Sequence, residues 1–100
     1  MIVFLTREAE NDLRRIGDWI AQDSPRRAET FVDELLEACR KLAHSPLAFP
    51  LVTGHEHTGV RRRSYRSYLI FYCVGDERVK ILHVIHGARD YETILFPDSD

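Results

Sequence analysis

One hundred residues, 44% hydrophobic and 30% charged with a formal net charge of −2, describe a single globular domain rather than a disordered or fibrous chain. A chain of this length buries roughly 60–70% of the surface it exposes when unfolded, enough to fold without disulfide or metal staples. The small net charge excludes a global field for nucleic acid, and no window approaches the ~20 apolar residues of a spanning helix.

The chain opens with Met1-Ile2-Val3-Phe4-Leu5, which has no charged lead and reads as a strand rather than a signal peptide. Thr6 is placed to cap a helix, with Glu8 and Glu10 near its positive end. Ala9, Leu13, Ile16 and Ile20 then repeat at helical spacing as one narrow apolar stripe. Trp19 lies about 60–100° off that stripe at ~100° per residue. It reads as partly packed in the core, or else as an exposed aromatic anchor for a partner. Ser24-Pro25 restarts the helix, Ser as cap and Pro at the first helical position. Ala28, Phe31, Val32, Leu35, Leu36, Cys39, Leu42 and Ala43 form a wider stripe, as expected of a helix covered by both its neighbour and a sheet. The short Gln22-Asp23-Ser24 link makes the two helices an antiparallel hairpin. His44 closes the second helix, where the dipole favours a cation.

Residues 45–59 carry Pro46, Pro50, Gly54 and Gly59 with no helical period, and so form a loop. Its His55-x-His57 spacing suits zinc, but no acid or cysteine completes the set, and solvated loop histidines are the simpler reading. Three strands follow. Val60–Tyr65 is polar and arginine-rich, as an edge strand would be; Tyr68–Val74 is apolar on both faces and central. Gly75-Asp76-Glu77-Arg78 is a hairpin turn, and Val79–His86 returns with Val79, Ile81 and Ile85 on one face and Leu82 and Val84 on the other. His83 and His86 fall on opposite faces of that strand. Gly87 reads as a bend permitting positive φ. Residues 1–96 make one domain, and 97–100 read as a frayed acidic end.

Charge is unevenly spread. Residues 1–44 hold nine acidic and seven basic side chains, whereas 58–74 hold Arg61, Arg62, Arg63 and Arg66 and no acid. Arg61 and Arg63 share a strand face with Tyr65 while Arg62 points away. The patch reads either as contact with an acidic partner or as a solvated edge protected from aggregation by its charge. Arg89 offers a similar choice: recognition at a strand end, or pairing with Asp90 and capping of a short helix over 91–96. Cys39 and Cys73 lie 34 positions apart in apolar-patterned segments, which fits buried reduced thiols and a cytoplasmic chain.

The order β-α-α-β-β-β is α+β, with the helical hairpin on one face of the sheet. Asp12-Leu13-Arg14-Arg15-Ile16, Ser24-Pro25 with Ala28 and Phe31, Leu42 and Pro46, Tyr68-Leu69-Ile70-Phe71-Tyr72 and His86-Gly87-Ala88-Arg89-Asp90, taken in that order, resemble the ParE branch of the RelE/ParE toxin superfamily. The resemblance implies a mostly antiparallel four-stranded sheet, a ParD-like antitoxin partner, DNA gyrase as target, no cofactor and no catalytic residue. Target or antitoxin contacts are then expected at Arg61, Arg63, Arg66, Arg89 and Trp19, the basic and aromatic candidates read above. The RelE branch, whose members cleave messenger RNA on the ribosome, is the alternative. Such chemistry needs several basic or titratable groups to converge. The loop 45–59 has no Lys or Arg, Leu69 follows Tyr68 where an arginine is wanted, and Leu95 stands where a tyrosine or histidine is wanted. Only Arg89 of that set is kept. A module that has lost its target and only binds its antitoxin is a third reading.

Overall fold

The computed structural model describes residues 1–98; of the end expected to fray, Ser99 and Asp100 lie outside the described residues, while Pro97 and Asp98 form an exposed turn. Strand β1 spans Ile2–Leu5, helix α1 Arg7–Ala21, helix α2 Pro25–Arg40, and strands β2, β3 and β4 span Arg61–Tyr65, Tyr68–Gly75 and Arg78–His86. A short helix α3, Tyr91–Leu95, follows. Thr6 accepts from the Ala9 N–H and Ser24 from the Arg27 N–H, so both hydroxyl caps form where local chemistry placed them.

The strands lie in the order β1-β4-β3-β2. The pairs β2–β3 and β3–β4 are antiparallel, while β1 runs parallel to β4, so the sheet is mixed. A parallel pair needs a long crossover, and here the helical hairpin and the strands after it provide it. Arginine-rich β2 is one of the two edge strands, although Leu51 of the preceding loop bridges to Arg61 along it.

One sheet face packs on the helices: Ala9, Leu13 and Ile16 of α1 and Phe31, Leu35, Ala38 and Cys39 of α2 meet Ile70, Tyr72, Val79, Ile81 and Val84. The other face carries a smaller cluster of Leu69, Phe71 and Ile85 with Val52 and Val60, closed by Leu82 and by Tyr91, Ile94, Leu95 and Phe96 of the C-terminal segment. Val84 and Ile85 have therefore exchanged the faces that simple alternation gives them. The cause is a β-bulge. Tyr72 pairs with Ile81 but Phe71 pairs with His83, so Leu82 is an extra residue that reverses the face of all that follows. His83 and His86 still fall on opposite sides, paired with Phe71 and Tyr68.

Gly87 is also corrected. Positive φ occurs at Gly54 and Gly59 but not at Gly87. Gly87 instead donates its N–H to the Ser67 carbonyl at 2.8 Å, and a Cβ there would stand 3.4 Å from that oxygen. That is ordinary contact distance, so neither handedness nor space demands glycine at this position. The left-handed conformations fall on Arg66, Asp76 and Glu77 in the two hairpin turns.

Candidate functional site: a groove between α1 and the end of β4

Asp12, Arg15, Ile16 and Trp19, spaced by three, one and three positions, run along one face of α1. Across from them the bulge turns Val84 and His86 toward the helix side, and Tyr68 opens β3 beside His86. These residues and Arg89 line an open groove of about 470 Å³. Ile16 and Val84 are buried, whereas Trp19 is 69% exposed. The core placement expected for Trp19 is thus corrected: its indole stands at the mouth of the groove. At ~100° per residue it is carried past the sheet-facing stripe, beyond the reach of the core.

Charge surrounds this apolar patch. Arg15 and Arg89 are both exposed on its rim. Arg15 donates to Asp12 at 2.8 Å, whereas Arg89 makes no ion pair among the described residues. Asp90 accepts from the backbone and hydroxyl of Thr93 and caps α3. These bonds hold its carboxyl below the usual range. Neither pairing with Asp90 nor capping therefore engages Arg89. Tyr68 meets the His86 ring edge-on at 5.2 Å between centroids. The Ala88 N–H donates to His86 Nδ1 at 3.0 Å, so the hydrogen of the neutral ring sits on Nε2.

The floor of the groove is held by Asp12, which is 5% exposed and the sole buried charged residue among those described. Its Oδ2 accepts the Val84 N–H at 2.9 Å and lies 2.7 Å from His83 Nδ1. Residue type alone assigns no role to Asp12 or Arg15. A signal was present: Asp12 interrupts the stripe between Ala9 and Ile16, at +3 and −4, where a carboxylate must find buried donors.

The arginine strand divides. Arg61 donates to the Phe49 carbonyl at 2.7 Å, and Arg63 to the Ala38 carbonyl in the last turn of α2 at 2.7 Å while lying 5.0 Å over the Phe49 ring. Arg63 thus satisfies a terminal helix carbonyl and favours the negative end of the dipole. Arg66 sits in the β2–β3 turn at φ 54°, exposed, 3.9 Å from Glu34. Glu34 also accepts from the Tyr65 hydroxyl and Arg27, which lower its pKa. Of the five expected contact residues, the fold brings Trp19 and Arg89 into one groove, and sets Arg61, Arg63 and Arg66 along β2 and its turn.

The other candidates are settled by packing. His55 stacks on Phe96 at 3.9 Å, its Nε2 3.7 Å from Glu92, so it fastens the loop to α3. Among the described residues no group of three or more His, Cys, Asp or Glu converges as a metal set. Cys39 is buried and its thiol is pushed up to about 11, while Cys73 is half-buried; both are free. No helix among the described residues is long and apolar enough to cross a membrane.

The mixed sheet with a helical hairpin on one face is the architecture of two solved toxin–antitoxin systems. One is the chromosomal ParDE system of P. aeruginosa, with a TM-score of 0.74 at 21% identity, covering 86% of this chain and 95% of the other. The second is the RelBE2 complex of Mycobacterium tuberculosis, with a TM-score of 0.63 at 25% identity, covering 85% and 95%. No curated protein sequence matches. The profile described as "ParE toxin of type II toxin-antitoxin system, parDE" matches residues 3–91, and the chain belongs to that family.

Proposed function

We propose that this chain inhibits growth by binding DNA gyrase through recognition rather than catalysis, in the cytoplasm, and that a ParD-like antitoxin silences it. The observation that carries the reading is the groove itself. A large exposed indole beside Ile16 and Val84, flanked by two arginines, suits a segment that places an apolar side chain between carboxylates. Antitoxin tails of acidic, amphipathic character have that chemistry, and a disordered tail that folds on binding gains both contacts together. Arg66 extends the basic surface from the neighbouring turn. Arg61 and Arg63 contribute by holding the surface in shape.

A second reading keeps one observation: Tyr68, His86, Arg15 and Arg89 share the groove, and such groups could act on RNA. The hydrogen-bonding of His86 weighs against it. A general base must offer a nitrogen lone pair, and in the neutral ring Nδ1 is already occupied by the Ala88 N–H.

The deciding experiment adds purified toxin to gyrase and follows supercoiling and trapped cleavage complexes. Accumulation of cleavage complexes is expected. Unchanged gyrase, with codon-positioned cuts in ribosome-bound messages, would instead establish the nuclease.

A further inference from the structure

We infer that Asp12 is the positioning residue of the groove: its carboxylate holds the bulged segment of β4 and so selects which side chains line the site. The inference rests on the groove reading above for its functional consequence, but its geometric content stands apart from any partner.

Two facts create a problem at the end of β4. The first is that β1 stops early: Leu5 pairs with Ile81, and beyond it no strand borders β4 on that side. Helix α1 takes over as the edge partner. The Thr6 backbone N–H donates to the Ile81 carbonyl and its hydroxyl to the Leu82 carbonyl, each at 3.0 Å. The second is the extra residue Leu82, which disrupts the ladder. Together they leave the Val84 N–H facing α1 in a buried place, where a donor without a partner is costly. Asp12 Oδ2 accepts it, and the same oxygen lies against His83 Nδ1.

The consequence follows from parity. Val79 and Ile81 face the helices. In an unbulged strand His83 and Ile85 would continue that row, and Val84 and His86 would point to the opposite face. With Leu82 inserted, Val84 joins the helix-side cluster, His86 lines the groove beside Tyr68, and Ile85 enters the second cluster. The groove exists in this form because of the bulge, and Asp12 is the side chain that satisfies it. The other oxygen, Oδ1, binds Arg15 at 2.8 Å and sets one arginine on the rim. A single buried carboxylate thus fixes the floor, the far wall and part of the edge.

The test uses the full chain and needs no ligand for its main readout. Asp12→Ala is compared with Val79→Ala, which removes core volume at the opposite end of β4, by amide hydrogen exchange and by NMR contacts between the Tyr68 and His86 rings. Exchange at Val84 is expected to rise at least about tenfold in Asp12→Ala, through local opening. The Tyr68–His86 contact is expected to weaken or vanish, and Val79→Ala to leave both in place. Unchanged exchange at Val84 with an intact ring contact in Asp12→Ala overturns the assignment, as does an equal change in both variants. Should Asp12→Ala fail to fold, Asp12→Asn replaces it. A neutral amide is a weaker acceptor than a carboxylate, so exchange at Val84 still accelerates; wild-type exchange there overturns the assignment. Affinity for the antitoxin encoded beside the toxin separates the two readings. A disturbed groove with weakened affinity supports both, and a disturbed groove with unchanged affinity supports the role of Asp12 while removing the groove from antitoxin recognition.

Discussion

Two sets of arginines in this molecule look alike in sequence and do different work. Arg61 and Arg63 lie on β2 and spend their guanidiniums on the Phe49 and Ala38 carbonyls, tying loop and helix to the sheet. Arg15 and Arg89 stand exposed on either side of an apolar groove, and Arg89 has no ion pair among the described residues. A cluster of arginines in the sequence is therefore not by itself a cluster of unengaged charge in the fold. What separates the sets is whether a backbone carbonyl is within reach, and that depends on contacts distant in the chain. Arg63 and Ala38 are 25 positions apart.

The contrast can be broken most forcefully at the groove. Trp19→Ala is expected to weaken antitoxin binding by about 2 kcal/mol or more, since central exposed aromatics dominate interfaces. Its melting temperature should barely move, because the indole contributes little to the core; calorimetry on one preparation measures both. Arg89→Ala should behave likewise with a smaller loss. Arg63→Ala should do the reverse. It removes a charged hydrogen bond to a helix-end carbonyl and is expected to cost about 1.5–3 kcal/mol of folding stability. Binding per folded molecule should be preserved, as denaturant titration alongside binding would show. A variant of Arg63 that loses affinity but not stability would erase the distinction.

Smaller effects sharpen it. Asp76 and Glu77 hold φ of 51° and 58° in the β3–β4 turn, a primed hairpin geometry that favours glycine. Glu77→Gly is expected to stabilise the fold by about 1 kcal/mol, read from urea unfolding, without touching the groove. The smallest effect is acidic. Thr93 lowers the Asp90 carboxyl, so the folded form binds that proton less readily than the unfolded one. The resulting stabilisation is present above the ordinary carboxylate range and is lost as pH falls through the lowered folded value. Loosening of α3 should thus appear below that range, followed by NMR of Thr93, and Asp90→Asn should abolish the pH dependence.

Much of the fold was legible because its determinants are local. Thr6, Ser24 and Pro25 mark helix starts by chemistry that acts within four residues, and the continuous apolar run of β3 announces a covered strand. The alternation of β4 failed at Leu82 because no local residue type signals an inserted position; the end of β1 and the carboxylate of Asp12 make the bulge stable, through bonds that span 76 and 72 positions. The site was legible only in part. Of the residues lining the groove, Trp19 and Arg89 stand out by type and position, whereas Asp12, Arg15, Tyr68 and His86 join them only once parallel pairing of β1 and β4 brings α1 against the strand end. Gly87 has no positive φ, against what its residue type suggests, and its N–H bonds the Ser67 carbonyl of another turn, a contact that no local pattern announces.

The groove is tested most directly by the fluorescence of Trp19, the single tryptophan of the chain. Titration with a tryptophan-free form of the antitoxin should shift its emission from the long wavelength of a solvated indole to that of a buried one, saturating at the stoichiometry of binding. Full binding with the emission unmoved would contradict the account and place the partner on another face.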